Sequence, residues 1–281
     1  MKKNLALFLA CAMSVALVGC GNSNQAASTD AATTESAAET TAAVTDEGSS
    51  LVYAVEAGSA GEAVAKEKGY QANAVASQAD ALMEVASGTS DAAIIDLLMA
   101  GAMIGEGTSY PTLTHTEELT SEKYGVGCRK GSDLAAYINV VFAESYADGT
   151  MQEIATTYGV QESLLEQSAD DFVPGEDSDV AYIQDKGSLI VGMTDFEPMD
   201  YKDDNGEWIG FDADMAKLVA EKLGVEVQFV EIDWDNKIME LDSKNIDVVW
   251  NGMTLTDEVT SSMECTNAYC NNAQVVVVPA N

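Results

Sequence analysis

Residues 187–256 read GSLIVGMTDFEPMDYKDDNGEWIGFDADMAKLVAEKLGVEVQFVEIDWDNKIMELDSKNIDVVWNGMTLT, and the order of elements in this stretch decides the fold. Ser188 to Met193 is a short apolar run that ends at a loop. Tyr201 to Gly210 reads as a hairpin, with Asn205-Gly206 supplying the positive φ angles of a tight turn. The acidic spacing after DDNG does not continue as a calcium loop, so the turn reading stands. A helix follows from Phe211, because Phe211, Met215, Leu218, Val219 and Leu223 share one face and Gly224 is placed to end it. Val225 to Ile232 is a second strand, Asn236 to Leu241 a short helix, and Ile246 to Trp250 a third strand. Such alternation of strand and helix builds a parallel α/β sheet. Ligands of these sheets sit beyond the carboxyl ends of the strands. Here those ends carry Phe196, Trp234, Trp250, Asn251 and Thr254. Core packing competes with a ligand role for the aromatics; placement at strand ends favours the ligand role for Phe196 and Trp234 and leaves Trp250 open.

The same unit occurs twice. LMEVASGTSDAAII (Leu82 to Ile95) aligns without gaps onto IMELDSKNIDVVWN (Ile238 to Asn251), pairing Met83 with Met239, Glu84 with Glu240, Ser87 with Ser243 and Asp91 with Asp247. Each copy is a helix, a polar turn and a buried strand, so the chain holds two related α/β lobes. Asp96 and Gly252 occupy equivalent strand ends, and facing lobes would set Asp96 across from Asn251 and Thr254.

The remaining sequence supplies the frame. A chain of 281 residues accommodates two compact lobes. Its net charge of −34, from 47 acidic and 13 basic residues, argues against nucleic acid or an anionic membrane as partner. Lys2, Lys3 and the apolar run Leu5 to Val18 form an export signal too short to span a membrane as a mature helix. Residues 21–50 are almost all Ala, Thr, Ser, Glu and Asp and cannot offset their ordering entropy, so they read as a flexible tether. Leu51 to Glu56 is a strand that turns through Gly58-Ser59-Ala60 into a helix reaching Lys68. That turn offers backbone N–H groups to a carboxylate, with helix capping by Ser59 as the alternative. Ala79 to Ser87 is helical, Ala92 to Ile95 a buried strand, Tyr124 to Lys130 a strand, and Leu134 to Ala147 and Met151 to Tyr158 two helices. Pro111 to Glu118 has no clear reading, and its His115, the only histidine, lacks a second ligand for a metal. Cys128, Cys265 and Cys270 show no metal-ligand spacing, and the latter two read as small buried hydrophobes. No nucleophile is paired with a histidine, and neither cofactor nor metal is expected.

The motifs IVGMTDFEPMDY, GEWIGFDADMAKLVAEKLG, DWD, KNIDVVWNGMTLT and NAYCNNAQVVVV resemble the first lobe of the bacterial solute-binding proteins, family 3, which serve polar amino-acid ABC transporters. VYAVEAGSAGEA, SGTSDAAIID, EKYGVGCRKGSDL and ADGTMQEIATTYG resemble the second half of the same family. In the family that half comes last; here it comes first. The resemblance therefore implies a two-lobed type II periplasmic-binding-protein fold, α/β and circularly permuted. Expected domains are a signal peptide at 1–20, a tether at 21–50, a smaller lobe at 51–123 and a larger lobe at 124–281. The larger lobe includes the hinge strand YGVGCRK and a permutation linker at 166–182, and only one covalent hinge is expected to remain. Leu17-Val18-Gly19-Cys20 resembles a lipobox, which implies lipidation of Cys20.

Carried over residue by residue, the resemblance assigns Phe196 and Trp234 to stacking on the ligand and Asn251, Gly252 and Thr254 to hydrogen bonds. It assigns Ser59 and Ala60 to a turn of the family's second lobe, which comes first in this chain, and Asp96 to the ligand's α-ammonium. The family arginine that forks onto the α-carboxylate is missing, because Val259 stands in its place. Arg129 is the only arginine and is not placed to substitute. The implied ligand is an amino-acid-like solute or an amine, delivered to an ABC transporter permease by an extracytoplasmic, lipid-anchored, monomeric protein that is not an enzyme. The rival expectation is a periplasmic dehydratase on the same fold, with Glu197 and Asp96 as paired acids, or a sensor lobe without a transport role.

Overall fold

A computed structural model describes residues 51–280. The signal segment 1–20 with Cys20, and the tether 21–50, lie outside the described residues.

The first lobe consists of β1 (Val52–Glu56), α1 (Ala60–Lys68), β2 (Gln71–Val75), α2 (Gln78–Ser87), β3 (Ala92–Asp96), α3 (Leu97–Met103) and β4 (Leu113–Glu118). β5 (Glu122–Tyr124) leads out of it to β6 (Gly127–Cys128), α4 (Leu134–Asp148), α5 (Thr150–Thr157) and α6 (Asp179–Lys186). Then come β7 (Ser188–Met193), β8 (Tyr201–Lys202), β9 (Trp208–Ile209), α7 (Phe211–Leu223), β10 (Glu226–Glu231) and α8 (Lys237–Asp242). β11 (Val248–Val249), α9 (Asp257–Ser262) and β12 (Glu264–Cys265) complete this second lobe, and β13 (Cys270–Asn272) returns to the first, where β14 (Gln274–Pro279) ends the chain's regular structure.

The two lobes repeat one sheet. One runs β2-β1-β3-β14-β4 and the other β10-β7-β11-β6-β12. In each the first three strands are parallel and the last two are added antiparallel. The aspartates paired in the sequence repeat do the same work in both: Asp91 accepts the Val52 N–H at 2.9 Å and Asp247 accepts the Ile190 N–H at 2.8 Å. Gly88 and Lys244, also paired in the repeat, share a left-handed turn with φ of 75° and 59°.

β14 corrects two expectations. It is not part of the lobe that precedes it, because it pairs with β3 and β4 in the sheet of residues 51–118. Its apolar run is buried from Val275 to Val277, and a strand buried on both faces is stable only with a partner on each edge. The interior position between β3 and β4 supplies both. The chain therefore passes between the lobes twice, not once, at β5 and at β13, which pair antiparallel with Tyr124 opposite Cys270.

Smaller differences have local causes. In the β8–β9 turn Gly206 has a positive φ but Asn205 does not, because the Asp203 carboxylate accepts the N–H groups of residues 205 and 207 and shapes the turn itself. Residues 179–186, partly assigned to the linker, are helical, with the Ser178 hydroxyl accepting the Ala181 N–H as a cap. The segment 111–118 contains β4, whose side chains are exposed beyond Leu113, His115 included. α7 matches expectation, burying Phe211, Met215, Val219 and Leu223 and ending at Gly224 with φ 75°.

Candidate functional site

The carboxyl ends of β1 and β3 face the loop after β11 and the turn before α8 across a cavity of about 240 Å³. The first lobe contributes Glu56, Gly58, Ser59, Ala60, Gln78 and Asp96. The second contributes Trp234, Lys237, Asn251, Gly252, Thr254 and Val259. Seven of the residues assigned from sequence thus meet there: Ser59, Ala60, Asp96, Trp234, Asn251, Gly252 and Thr254.

Phe196 does not. It is buried beneath the cavity floor, edge-on to Tyr124 with ring centroids 6.4 Å apart. Gly252 lies over it: a Cβ there would come 2.5 Å from Phe196 Cε1, and φ of 53° disfavours any L side chain. Phe196 therefore sets the height of the floor. Trp250 is likewise core, packed edge-on against Phe142 at 5.6 Å.

Several residues line the cavity with their polar atoms already committed. Asn251 accepts from the N–H and hydroxyl of Thr194 and donates to Thr194 O and Asp200 Oδ2. The Ser59 hydroxyl accepts the Glu62 N–H at 3.1 Å, while Glu62 Oε2 accepts the Gly58 N–H at 2.8 Å, so the capping alternative holds at this turn. Thr254 donates to Glu122 Oε2 at 3.0 Å.

Asp96 is the centre of a saturated network. Tyr124 donates to its Oδ1 at 2.6 Å and Gln274 at 3.0 Å, Asn272 donates to the same oxygen, and Gln78 donates to Oδ2. Burial and the neighbouring Glu122 push its carboxyl up to about 7, with the donors working against that rise. These donors come from α2, both hinge strands and the first residue of β14, so Asp96 ties the hinge to the end of β3.

Four charged residues that line the cavity were not assigned from sequence: Asp257 and Glu258 at the exposed start of α9, and the buried Glu56 and Lys237. Glu56 is 2 % exposed and its Oε1 has no hydrogen-bond partner. Burial, with Asp96 adding to it, pushes its carboxyl up to about 8. Lys237 is 8 % exposed; its Nζ donates to Gly58 O at 2.8 Å and Trp234 O at 3.1 Å and lies 4.9 Å from the Trp234 ring centroid. Burial lowers its pKa. The strand-end rule could have found Glu56, the last residue of its strand. Lys237 carries no such signal in the sequence, because it opens a short helix and does not end a strand. Arg129 is held away from the cavity by Asp179 at 3.1 Å and Asp247 at 3.4 Å.

Under the floor lies a second acidic pair. Asp212 Oδ2 accepts the Gly252 N–H at 2.6 Å and the Tyr269 hydroxyl at 2.7 Å, and Asp200 is held by Asn251. Burial pushes Asp212 up to about 7, and burial with Asp212 as neighbour raises Asp200 well above the usual carboxylate range. Cys128, Cys265 and Cys270 are free thiols. Among the described residues no cluster of His, Cys, Asp or Glu could hold a metal ion, and no helix is long and apolar enough to cross a membrane.

Residues 189–281 match the family described as bacterial extracellular solute-binding proteins, family 3. The L-cystine-binding protein TcyJ of Escherichia coli K12 is 34% identical over 88 residues, 31% of this chain and 33% of that protein. The arginine-binding extracellular protein ArtP of Bacillus subtilis 168 is 33% identical over 93 residues, 33% of this chain and 36% of that protein. Among solved structures, an ancestral cationic amino acid solute binding protein is 42% identical, covering 30% of this chain and 37% of that one, with a TM-score of 0.29. The chain spans about a third of the length of the curated relatives it matches.

Proposed function

We propose, for a chain that belongs over residues 189–281 to the family 3 solute-binding proteins and has their two-lobed type II periplasmic-binding fold, that it captures an amino acid or an amine between its lobes outside the cytoplasm and hands it to an ABC transporter permease. The observation that carries this reading is the convergence of strand carboxyl ends from two like sheets on one cavity between them. Its volume lies below the range of about 300–1,000 Å³ usual for drug-sized ligands, which suits a solute of amino-acid size. Ser59, Ala60, Asp96, Trp234, Asn251, Gly252 and Thr254 form its wall, and two hinge strands allow the lobes to open and close about it. The names of the relatives put L-cystine and L-arginine at the head of the candidates.

Two further parts of the reading rest on sequence. The order of segments is circularly permuted relative to the family, supported by the family match lying at the end of the chain. The protein is anchored through a lipid on Cys20, supported by Leu17-Val18-Gly19-Cys20. Cys20→Ala should release it from the membrane fraction.

The deciding experiment is calorimetry and thermal shift with the L-amino acids, L-cystine and their decarboxylated amines, combined with X-ray scattering. A binder should compact the protein and be recovered unchanged. An unchanged radius of gyration with ligand bound overturns closure, and consumption of the ligand favours the dehydratase instead.

A further inference from the structure

The cavity holds a desolvated acid and a desolvated base that face one space with no hydrogen bond or ion pair between them. Glu56 ends β1 with an oxygen that has no hydrogen-bond partner. Lys237 opens α8 on the opposite lobe, and its Nζ meets only the carbonyl oxygens of Gly58 and Trp234 and the face of an indole. It forms no ion pair among the described residues. Each nonetheless acts on the other electrostatically across the cavity.

Burying a charge without a counter-charge is costly, and direct contact between the two would relieve both. The fold keeps them apart. Glu56 is fixed by β1, which pairs with both β2 and β3, and Lys237 is drawn off toward the Gly58 carbonyl. The gap is complementary to a solute that carries both signs.

The groups expected from the family to perform this recognition are otherwise engaged. Asp96 already accepts from four protein donors, Val259 has no charge, and Arg129 is paired elsewhere. A bare amine would meet Glu56 but bring Lys237 no direct ion pair, since Glu258, Asp235 and Glu62 act on it only at a distance. Lys237 also stands beside Ser59 and Ala60 at the start of α1, so a carboxylate drawn to its Nζ would lie near the positive end of a nine-residue helix.

We propose that the solute is a zwitterionic α-amino acid whose ammonium is taken by Glu56 and whose carboxylate is taken by Lys237 at the first turn of α1. This rests on the solute-binding reading above and names the chemistry of that same site. Lys237 replaces the missing arginine with a point charge that does not fork, so it attracts the carboxylate without fixing its plane.

The test is isothermal calorimetry on the full chain with each L-amino acid, L-cystine and the corresponding decarboxylated amine, agmatine for arginine and cystamine for cystine among them. At least one amino acid should bind, and about tenfold or more tightly than its amine, the difference one charge-assisted contact makes. Lys237→Met should close that gap, and Glu56→Gln should weaken the amino acid by a similar factor. An amine that binds as tightly as its parent amino acid overturns the assignment while leaving solute capture intact, and this comparison needs no variant. A folded Lys237→Met protein with unchanged affinity for the amino acid also overturns it. Binding by no member of the panel overturns solute capture, and this assignment with it.

Discussion

Lys237 Nζ donates to the Gly58 carbonyl oxygen at 2.8 Å, joining residues 179 positions apart in the chain and on opposite sides of the cavity. The approach is close enough that a Cβ on Gly58 would lie 2.6 Å from Asp235 Cα, and Gly58 itself has φ of 71°. The two lobes are thus in contact at the mouth of the cavity through a glycine turn on one side and a lysine on the other. A solute that draws Lys237 inward exchanges this contact for one with itself, which couples binding to the way the mouth closes.

Asp96→Asn should destabilise the fold. Its carboxylate collects four donors from α2, the hinge strands and β14, and an amide presents its own N–H₂ to at least one of them. Leaving a buried donor unmet costs about 1–3 kcal/mol, equivalent to a Tm lower by several degrees in a chain of this size. Calorimetric unfolding of the ligand-free variant checks this; an unchanged Tm would show that the network tolerates the amide.

Gly252→Ala should be costly for two separate reasons. The added methyl group meets Phe196 Cε1 at 2.5 Å and Tyr124 Cε2 at 3.1 Å, and the residue must hold a φ of 53°. Strain of this kind costs about 1–3 kcal/mol. Because the Gly252 N–H also donates to buried Asp212, relief by backbone movement breaks a second contact. Denaturant titration should show a lower midpoint, and equal midpoints would mean that the floor is compliant.

Stability should depend on pH through Glu56. Burial raises its carboxyl from 4.5 to about 8, with Asp96 adding to the shift and Lys237, Thr194 and Gln78 opposing it. The folded pKa exceeds the unfolded one, so the stabilising contribution is complete below about pH 4 and is lost as pH rises through 8. Asp96 and Asp212, each pushed up to about 7, act with the same sign. Glu56→Gln removes the first contribution alone. The Tm of the variant relative to the native protein should therefore rise between pH 5 and pH 8, and a flat or falling difference contradicts the assignment of Glu56.

The proposed permutation predicts that the order of segments is reversible. Joining Ala280 to Leu51 through a short linker, and opening the chain between residues 166 and 178, would restore the family order without cutting either hinge strand. The opening removes few contacts beyond those of Gln167 with Ala268 and of Phe172 with Tyr137. Circular dichroism and calorimetry should find the rearranged protein folded, with ligand affinity within about threefold of the original. An unfolded product would count against the permutation.

What the sequence determined by itself was local. Helix periodicity set α7 with its end at Gly224, an apolar run set β7, alternation set β10, and the gapless match of residues 82–95 onto 238–251 disclosed two lobes of one design. Those signals lie within about one turn or one strand, the range over which side-chain period reports burial. That β14 joins the other lobe's sheet is settled by packing, because an apolar run names neither of its edge partners. Packing also decides how each strand-end residue is used: Phe196 beneath the floor, Asn251 and Asp96 engaged by protein donors, Glu56 and Lys237 left facing the cavity. Chemistry alone does not separate Glu56 from Asp96, since both are acids ending apolar strands. The difference lies in the donors each one meets, which α2 and the hinge strands bring to Asp96 and withhold from Glu56 Oε1.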